Sequence, residues 1–188
     1  LYERIIKQSG GKQVVFRTLD IGGDRSLPYW ESDDEENPAL GWRAIRISVD
    51  KPNLLRNQLR ALIRAAQDHE LSIMFPMVTE ISEFDKAREI LDSEIERANA
   101  NNYKPIKNLR VGTMLEVPAL AYQMPALLKR VDFVSVGSND LFQFLFASDR
   151  GSPRISERFD PLSPAGLNFL QSIVEQCEAS KTPISICG

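Results

Sequence analysis

Two carboxylates lie just after apolar runs of this sequence. Glu116 comes after LRVGTML, and Asp140 comes three residues after DFVSVG. If these runs are neighbouring parallel strands, their carboxyl ends lie about 5 Å apart, so both side chains could bind one cation. Oxygen ligands without nearby histidine or cysteine favour Mg²⁺. The alternative is that each carboxylate caps the helix that follows it, because acidic residues favour helix N-termini. The residues alone leave both interpretations open.

Arginines in apolar surroundings form a second candidate group. Arg17 lies within the run QVVFRTL, and Arg43 and Arg46 lie in NPALGWRAIRI. A buried guanidinium needs an anionic partner, and its planar fork suits a phosphate or a carboxylate. The partner is either a bound anion or an internal carboxylate such as Asp20 or Asp24.

Asn139 and Arg150 flank the apolar segment that follows Gly137. Asn139 directly precedes Asp140, so it shares the polar end of the predicted strand. Arg150 is harder to place, because a helix over 141–149 would carry it about 13 Å from Asp140. The chain must fold back over the strand ends if Arg150 is to reach the same ligand.

Three further residues have reactive side chains. Cys187 ends the last apolar run, PISICG, and a thiol that is protonated at neutral pH can donate a proton as well as attack a substrate. The alternative is a small buried hydrophobic residue, which we expect for Cys177 within a helical pattern. His69 is the only histidine and lies between a predicted helix and strand, so we expect no phosphoryl acceptor in this chain.

The elements that position these residues repeat in the order strand, then helix. Such repeats predict parallel strands joined by helical crossovers, either in a doubly wound sheet or in part of a (β/α)8 barrel. No GxGxxG follows the first strand, and five strands are fewer than the eight of a barrel, so a barrel would be partial. Strands are predicted at 13–19, 71–77, 109–115, 132–137 and 183–188, and helices at 50–66, 82–99, 118–130 and 163–180.

Composition narrows the functional classes. The 188 residues are 43% hydrophobic and 26% charged with a net charge of −3, which is typical of one globular domain and disfavours a basic nucleic-acid groove. Two cysteines are too few for a disulfide framework or a zinc site and favour the reducing cytosol. No apolar window reaches the ~18 residues of a membrane span, and the first residues, LYERIIKQSGGKQ, lack the basic-then-apolar order that is typical of a signal peptide. The lack of an initiating Met predicts a segment of a longer protein.

Several motifs together resemble a known family. RTLDIGGDRSLPY, ENPALGWRAIRI, LRNQLRALIRAA, IMFPMVT, VGTMLEVPA, DFVSVGSNDLFQFLFASDRG and PISICG occur in order along essentially the whole chain. They resemble the phosphoenolpyruvate-binding domain of enzyme I of the bacterial phosphotransferase system. RTLDIG and LFQFLFASDRG are closer to its nitrogen-branch paralogue. The alternative is the related family of dikinases and synthases that use phosphoenolpyruvate. The motif ENPALGWRAIRI fits enzyme I better than it fits these enzymes.

The resemblance implies an α/β fold, with residues 1–188 forming one partial (β/α)8 barrel of the phosphoenolpyruvate/pyruvate type. It also implies that Mg²⁺ and phosphoenolpyruvate bind at the carboxyl ends of the strands. The implied roles are metal ligand for Glu116 and Asp140, substrate ligand for Arg17, Arg43, Asn139, Asp140 and Arg150, and proton donor to enolpyruvate for Cys187.

The resemblance further implies partners outside this chain. The phosphoryl group would pass to a histidine on a separate mobile domain and then to a histidine-containing phosphocarrier protein. That domain and the flanking barrel strands are expected to be absent from residues 1–188, so we expect no complete phosphoryl transfer by this chain alone. The barrel would form a homodimer in the cytoplasm. A regulatory module that keeps the barrel for ligand sensing or dimerisation is the alternative from another class.

Overall fold

A computed structural model describes residues 1–22, 35–155 and 160–188 of the chain. Its strands are β1 (Val15–Arg17), β2 (Glu70–Phe75), β3 (Asn108–Leu115), β4 (Phe133–Gly137) and β5 (Ile184–Cys187). Its α-helices are α1 (Tyr2–Gln8), α2 (Ile45–Asp50), α3 (Pro52–Ala65), α4 (Ile81–Ala100), α5 (Pro118–Ala121), α6 (Met124–Leu127), α7 (Ser138–Leu145) and α8 (Pro164–Ser180), and a short 3-10 helix spans Pro38–Leu40.

The strands lie in the sheet in the order in which they occur in the chain, β1-β2-β3-β4-β5. The registers Phe16↔Ile73, Leu115↔Val136 and Gly137↔Cys187 are all parallel. A doubly wound sheet reverses its strand order at a switch point, whereas a (β/α)8 barrel adds each strand next to the last. The fold is therefore α/β, with five parallel strands in the order of a partial (β/α)8 barrel, as the sequence predicted.

Contacts between residues divide the described chain into two compact units. The first comprises residues 1–77 and 82–111. Its core includes the apolar stripe of α3 that the helical spacing predicted, since Leu55, Leu59, Leu62 and Ile63 are all buried. On α4, the carboxylate of Glu94 is also buried, where it accepts hydrogen bonds from α3. This polar contact was not predicted.

The second unit comprises residues 78–81 and 112–188. Strand β4 is buried along its whole length, which fits its largely apolar sequence. Helix α8 begins as predicted, because the Ser163 hydroxyl at its N-cap accepts a hydrogen bond from the Gly166 N–H.

The single helix predicted at 118–130 is wrong, because the structure has two short helices there, α5 and α6. Pro125 has no N–H to donate to the carbonyl of Ala121, so one continuous helix would lose that bond. The side chain of Gln123, between the two helices, donates hydrogen bonds to the carbonyls of Thr79 and Ala119. Among the described residues, we find no helix whose length and apolar character would let it span a membrane.

Candidate functional site at the strand ends

Glu116 lies at the carboxyl end of β3, against the end of β4. Leu115 pairs with Val136, so the next residues, Glu116 and Gly137, face each other across the two strands. Glu116 is buried, and its side chain lies over the Gly137 backbone. A Cβ at position 137 would lie only 2.6 Å from Glu116 Cγ and 2.9 Å from Oε1. Glycine at position 137 therefore provides the space that the Glu116 side chain occupies.

Asp140 is a second buried carboxylate, three residues beyond Gly137. Helix α7 begins at Ser138, which places Asp140 in its first turn and not at its N-cap. The predicted alternative, that Asp140 caps a helix beginning at Leu141, is therefore wrong. At α5 the N-cap position belongs to Val117 and not to Glu116.

The donor chemistry of Glu116 and Asp140 fits Mg²⁺. Both supply carboxylate oxygens at the ends of adjacent strands, and Mg²⁺ typically takes one or two carboxylates together with water and substrate oxygens. Within the ranges that the structure describes, no three or more His, Cys, Asp and Glu side chains form a group that could hold a metal. A pair of carboxylates suits an ion whose remaining ligands come from substrate and water.

Arg150 reaches Asp140, because the chain folds back after α7. Arg150 Nη2 lies 3.6 Å from Asp140 Oδ1. The helix ends at Leu145, and Ala147 follows in the left-handed region at φ 49°. Gln143 then fixes the turn: its carbonyl accepts from the Ser148 N–H at 3.0 Å, and its side-chain Oε1 accepts from the Arg150 N–H at 3.1 Å. The fold-back that the sequence required of this segment is present.

A cavity of about 190 Å³ opens beside this turn. Liquid water occupies about 30 Å³ per molecule, so a small polar anion would fit. Its lining is partly apolar and partly polar, and Asn139 and Arg150 belong to the polar part. The lining residues are Ser138, Asn139, Phe142, Gln143, Phe146, Ser148, Arg150 and Pro161.

Cys187 ends β5 in register with Gly137. Its side chain is exposed, and its sulfur lies 3.6 Å from the carbonyl oxygen of Val136 and 3.7 Å from the hydroxyl oxygen of Ser135. The Ser138 hydroxyl donates to the Cys187 carbonyl at 3.0 Å. The backbone of Cys187 therefore adjoins Ser138, which begins the segment that carries Asn139 and Asp140.

Cys177, unlike Cys187, is shielded from solvent. It is fully buried in α8, and burial raises the pKa of its thiol because the charged thiolate is disfavoured away from water. The predicted structural role of Cys177 fits this environment.

The remaining predicted arginines lie in the first unit, around Asp20. Arg43 is only 2% exposed, and its guanidinium donates to Asp20 from Nε at 3.2 Å and from Nη2 at 3.0 Å. Arg17, whose side chain is 36% exposed, lies with Nη1 3.3 Å from Asp20 Oδ2. Of the two internal partners considered, Asp20 is the one found, and Asp24 lies outside the described residues. Arg46 donates to the carbonyls of Leu40 and Gly41.

Comparison with known proteins identifies the family. A model of the family described as "PEP-utilising enzyme, PEP-binding domain" matches residues 1–188, the whole chain. The chain belongs to this family. The predicted resemblance is confirmed at this level.

Named relatives agree with the family match. The whole chain is 43% identical to part of "Phosphoenolpyruvate-protein phosphotransferase" from Staphylococcus carnosus and covers 33% of that protein. It is 41% identical to the protein of the same name from Latilactobacillus sakei, again over 33% of its length. It is also 41% identical to "Phosphoenolpyruvate-dependent phosphotransferase system" from Escherichia coli K12, covering 25% of it. The chain thus spans a quarter to a third of the length of these enzymes.

Within this PEP-binding domain, sequence reasoning missed the residues that hold the predicted ones in place. Gln143 fixes the turn before Arg150, and Ser135 and Ser138 contact Cys187. Ser135 was part of a predicted strand, but its contact depends on the register of β4 and β5, which the sequence does not state. Asp20 was considered only as one of two partners for a buried arginine.

Proposed function

We propose that residues 1–188 are the Mg²⁺- and phosphoenolpyruvate-binding part of a phosphoenolpyruvate-protein phosphotransferase. The observation that carries this proposal is the position of Arg150 beside Asp140, next to the strand end that bears Glu116. The two carboxylates can then bind the cation, and the guanidinium can bind the anion, of one complex of Mg²⁺ with phosphoenolpyruvate. Phosphoryl transfer requires mainly this kind of positioning and charge stabilisation.

In this proposal Glu116 and Asp140 hold Mg²⁺. The ion would neutralise charge on the phosphate oxygens of the substrate. Asp140 has a second task, because its contact with the Arg150 guanidinium fixes that side chain at the edge of the cavity. Asn139, which is exposed on the same cavity, donates from its side-chain amide to the bound substrate.

The resemblance implies two further proposed ligands, Arg17 and Arg43. Arg17 is partly exposed beside Asp20, so its guanidinium suits the phosphate or carboxylate of the substrate. Arg43 is buried against Asp20, and its direct contact with substrate stays a prediction from the resemblance. Its hydrogen bonds to Asp20 support a further effect, which is to hold the carboxylate that Arg17 contacts.

Cys187 is the proposed proton donor after the phosphoryl group has left. The thiol S–H bond breaks, a C–H bond forms at the methylene carbon of the enolate, and pyruvate results. The electron pair of the S–H bond stays on sulfur as a thiolate. A neutral thiol suits this step because it carries no charge that must first lose its hydration. The phosphoryl group would go to a histidine outside residues 1–188, then to a histidine-containing phosphocarrier protein, in a cytoplasmic homodimer.

Calorimetric titration of the full-length protein with phosphoenolpyruvate, with and without Mg²⁺, tests the metal site. Glu116→Gln and Asp140→Asn should each lower the Mg²⁺-dependent affinity by at least about tenfold, since each removes a charged ligand. Asp132→Asn is the matched control, because Asp132 is exposed and precedes β4 at its amino end. Affinity that is unchanged in Asp140→Asn would contradict the proposal and favour the sensing or dimerisation module.

A second titration tests the anion site. Arg150→Ala should weaken phosphoenolpyruvate binding by about thirtyfold or more, because a truncated charge partner typically costs 2 kcal/mol or more. Arg154→Ala is the control, since Arg154 is exposed four residues further along the same loop. Equal affinities of the two variants would exclude Arg150 as a ligand.

A further inference from the structure

Ser135 is a buried polar residue whose contacts point at the proposed proton donor. It lies in the middle of β4 and is only 6% exposed. Its register partner is Ser185, two residues before Cys187, so Ser135 lies diagonally across the two strands from Cys187. Within the described parts of the chain, the hydroxyl of Ser135 makes one hydrogen bond, to Cys187 Sγ at 3.7 Å.

A buried hydroxyl with sulfur as its partner needs an explanation. Hydroxyls that leave water normally pair with strong acceptors such as carbonyls, whereas sulfur is a weak one. The thiol has an acceptor of its own in the carbonyl of Val136 at 3.6 Å. If the thiol hydrogen points there, the Ser135 hydroxyl is left to donate to the sulfur.

We propose that Ser135 is a positioning residue, which orients the Cys187 thiol and stabilises the thiolate that remains after proton donation. This inference rests on the proposed role of Cys187. Before the step, Ser135 and Val136 hold the thiol between them. After the step, the sulfur carries a negative charge and no hydrogen, so the bond from the Ser135 hydroxyl strengthens.

The competing account is that position 135 merely needs a small side chain in a buried strand. Removal of the hydroxyl alone separates the two accounts. Ser135→Ala keeps the side chain small but removes the hydroxyl. Ser185→Ala makes the same change at the exposed paired residue on β5. Ser135→Thr and Ser135→Val form a second pair of equal shape, of which only the first keeps the hydroxyl.

The first readout is alkylation of Cys187 by iodoacetamide in the full-length protein, followed by mass spectrometry of the peptide that contains it. In Ser135→Ala, the pH at which alkylation reaches half its maximal rate should rise by about 0.5–1, because the thiolate loses a hydrogen bond. The pH profile of Ser185→Ala should match that of the wild type. The profile of Ser135→Thr should also match the wild type, whereas that of Ser135→Val should match Ser135→Ala. A wild-type profile in Ser135→Ala, or equal profiles for Thr and Val, would overturn the inference.

The second readout is pyruvate formation from phosphoenolpyruvate by the full-length protein. Ser135→Ala should lower kcat by about three- to tenfold, the equivalent of about 0.5–1 pH unit, and leave KM for phosphoenolpyruvate within about twofold. Cys187→Ala separates the two proposals. If Cys187→Ala turns over at the wild-type rate, the proposed role of Cys187 fails. If Cys187→Ala is inactive and Ser135→Ala is fully active, only the inference about Ser135 fails.

Discussion

Asp20 holds two arginines with one carboxylate. Both of its oxygens accept from Arg43 Nη2 at 3.0 Å, and Oδ2 also lies 3.3 Å from Arg17 Nη1. Arg43 and Asp20 are both buried, so neither charge can turn to water if the other is lost. Removal of the Asp20 charge would take from the buried Arg43 guanidinium a carboxylate that accepts its hydrogen bonds.

Asp20→Asn should therefore destabilise the protein by about 3–5 kcal/mol, the typical cost of breaking a buried ion pair from one side. Urea unfolding measures this loss. Asp50→Asn is the control: Asp50 is exposed and accepts one hydrogen bond from Trp42 Nε1. Its replacement should change stability by about 1 kcal/mol or less. Equal losses of stability in the two variants would contradict the predicted cost of breaking the buried ion pair.

The partner of Arg43 marks the limit of what the sequence could predict at this scale. The apolar context of Arg43 correctly required an anion. It could not choose between an internal carboxylate and a bound ligand, because both satisfy a guanidinium equally well. The choice depends on backbone contacts beside the two residues, where the Ala44 N–H donates to the Ile21 carbonyl at 2.9 Å and Gly22 forms a β-bridge with Arg43. No local pattern encodes that contact.

At the scale of elements, α3 and α4 are joined by one buried carboxylate. Glu94 on α4 accepts from Arg60 Nε at 2.6 Å and from Arg56 Nη1 at 2.8 Å. The hydrogen bond from Arg60 holds the pKa of Glu94 below its ordinary value of 4.5, while burial opposes this and Arg56 adds to the lowering. The same hydrogen bond raises the pKa of Arg60.

The lowered pKa of Glu94 predicts how stability depends on pH. The folded protein binds this proton less tightly than the unfolded chain, so the contribution of Glu94 is complete above pH 4.5 and is lost as pH falls below that value. The stability difference between wild type and Glu94→Gln should shrink from pH 6 to pH 3 in urea unfolding. Glu96→Gln, an exposed change on the same helix, should show no comparable trend. A constant Glu94→Gln difference would contradict this assignment.

The turn after α7 supplies a second prediction for an element. Ala147 is exposed and adopts φ 49°, which costs a residue with a Cβ about 1 kcal/mol. Ala147→Gly should remove this cost and raise stability by up to about that amount. Ala61→Gly, at an exposed position inside α3, should lower stability by about 1 kcal/mol. Thermal unfolding measures both changes in stability. Opposite signs for the two alanine-to-glycine changes would support the left-handed conformation of Ala147, and equal signs would refute it.

Most elements were predictable because their signals are local. The five apolar runs coincide with β1 to β5, although the structure shortens the run 13–19 to Val15–Arg17. The helical spacing of 50–66 and 163–180 coincides with α3 and α8. The helices α1 and α2 were missed, and their six or seven residues are too few to show a period clearly. The end of α7 was placed four residues too late, because Ala147 is a strong helix former that here adopts the left-handed region.

At the scale of the whole molecule, the chain spans a quarter to a third of its phosphotransferase relatives. His69 is its only histidine. It directly precedes β2, at the amino end of that strand, whereas Glu116, Asp140 and Cys187 lie at or beyond the carboxyl ends of β3, β4 and β5. A strand of six residues is roughly 20 Å long, so His69 is far from the carboxyl end of its own strand.

Residues 1–188 alone should therefore form no phosphohistidine when incubated with phosphoenolpyruvate and Mg²⁺. The full-length protein should become labelled under the same conditions if the proposed function is right. Phosphorus NMR or acid-labile labelling with radioactive phosphate distinguishes the two. Phosphate on His69 in the isolated chain would contradict this prediction.

The missing side chain at Gly137 offers a way to engineer the protein. Gly137→Ala would displace Glu116 without changing any proposed ligand, because the new methyl group occupies the space of the carboxylate stem. In terms of the proposed function, such a variant would keep every proposed anion ligand and displace one proposed metal ligand. Comparison of phosphoenolpyruvate binding by Gly137→Ala and by the wild type would then show how far substrate binding depends on the metal.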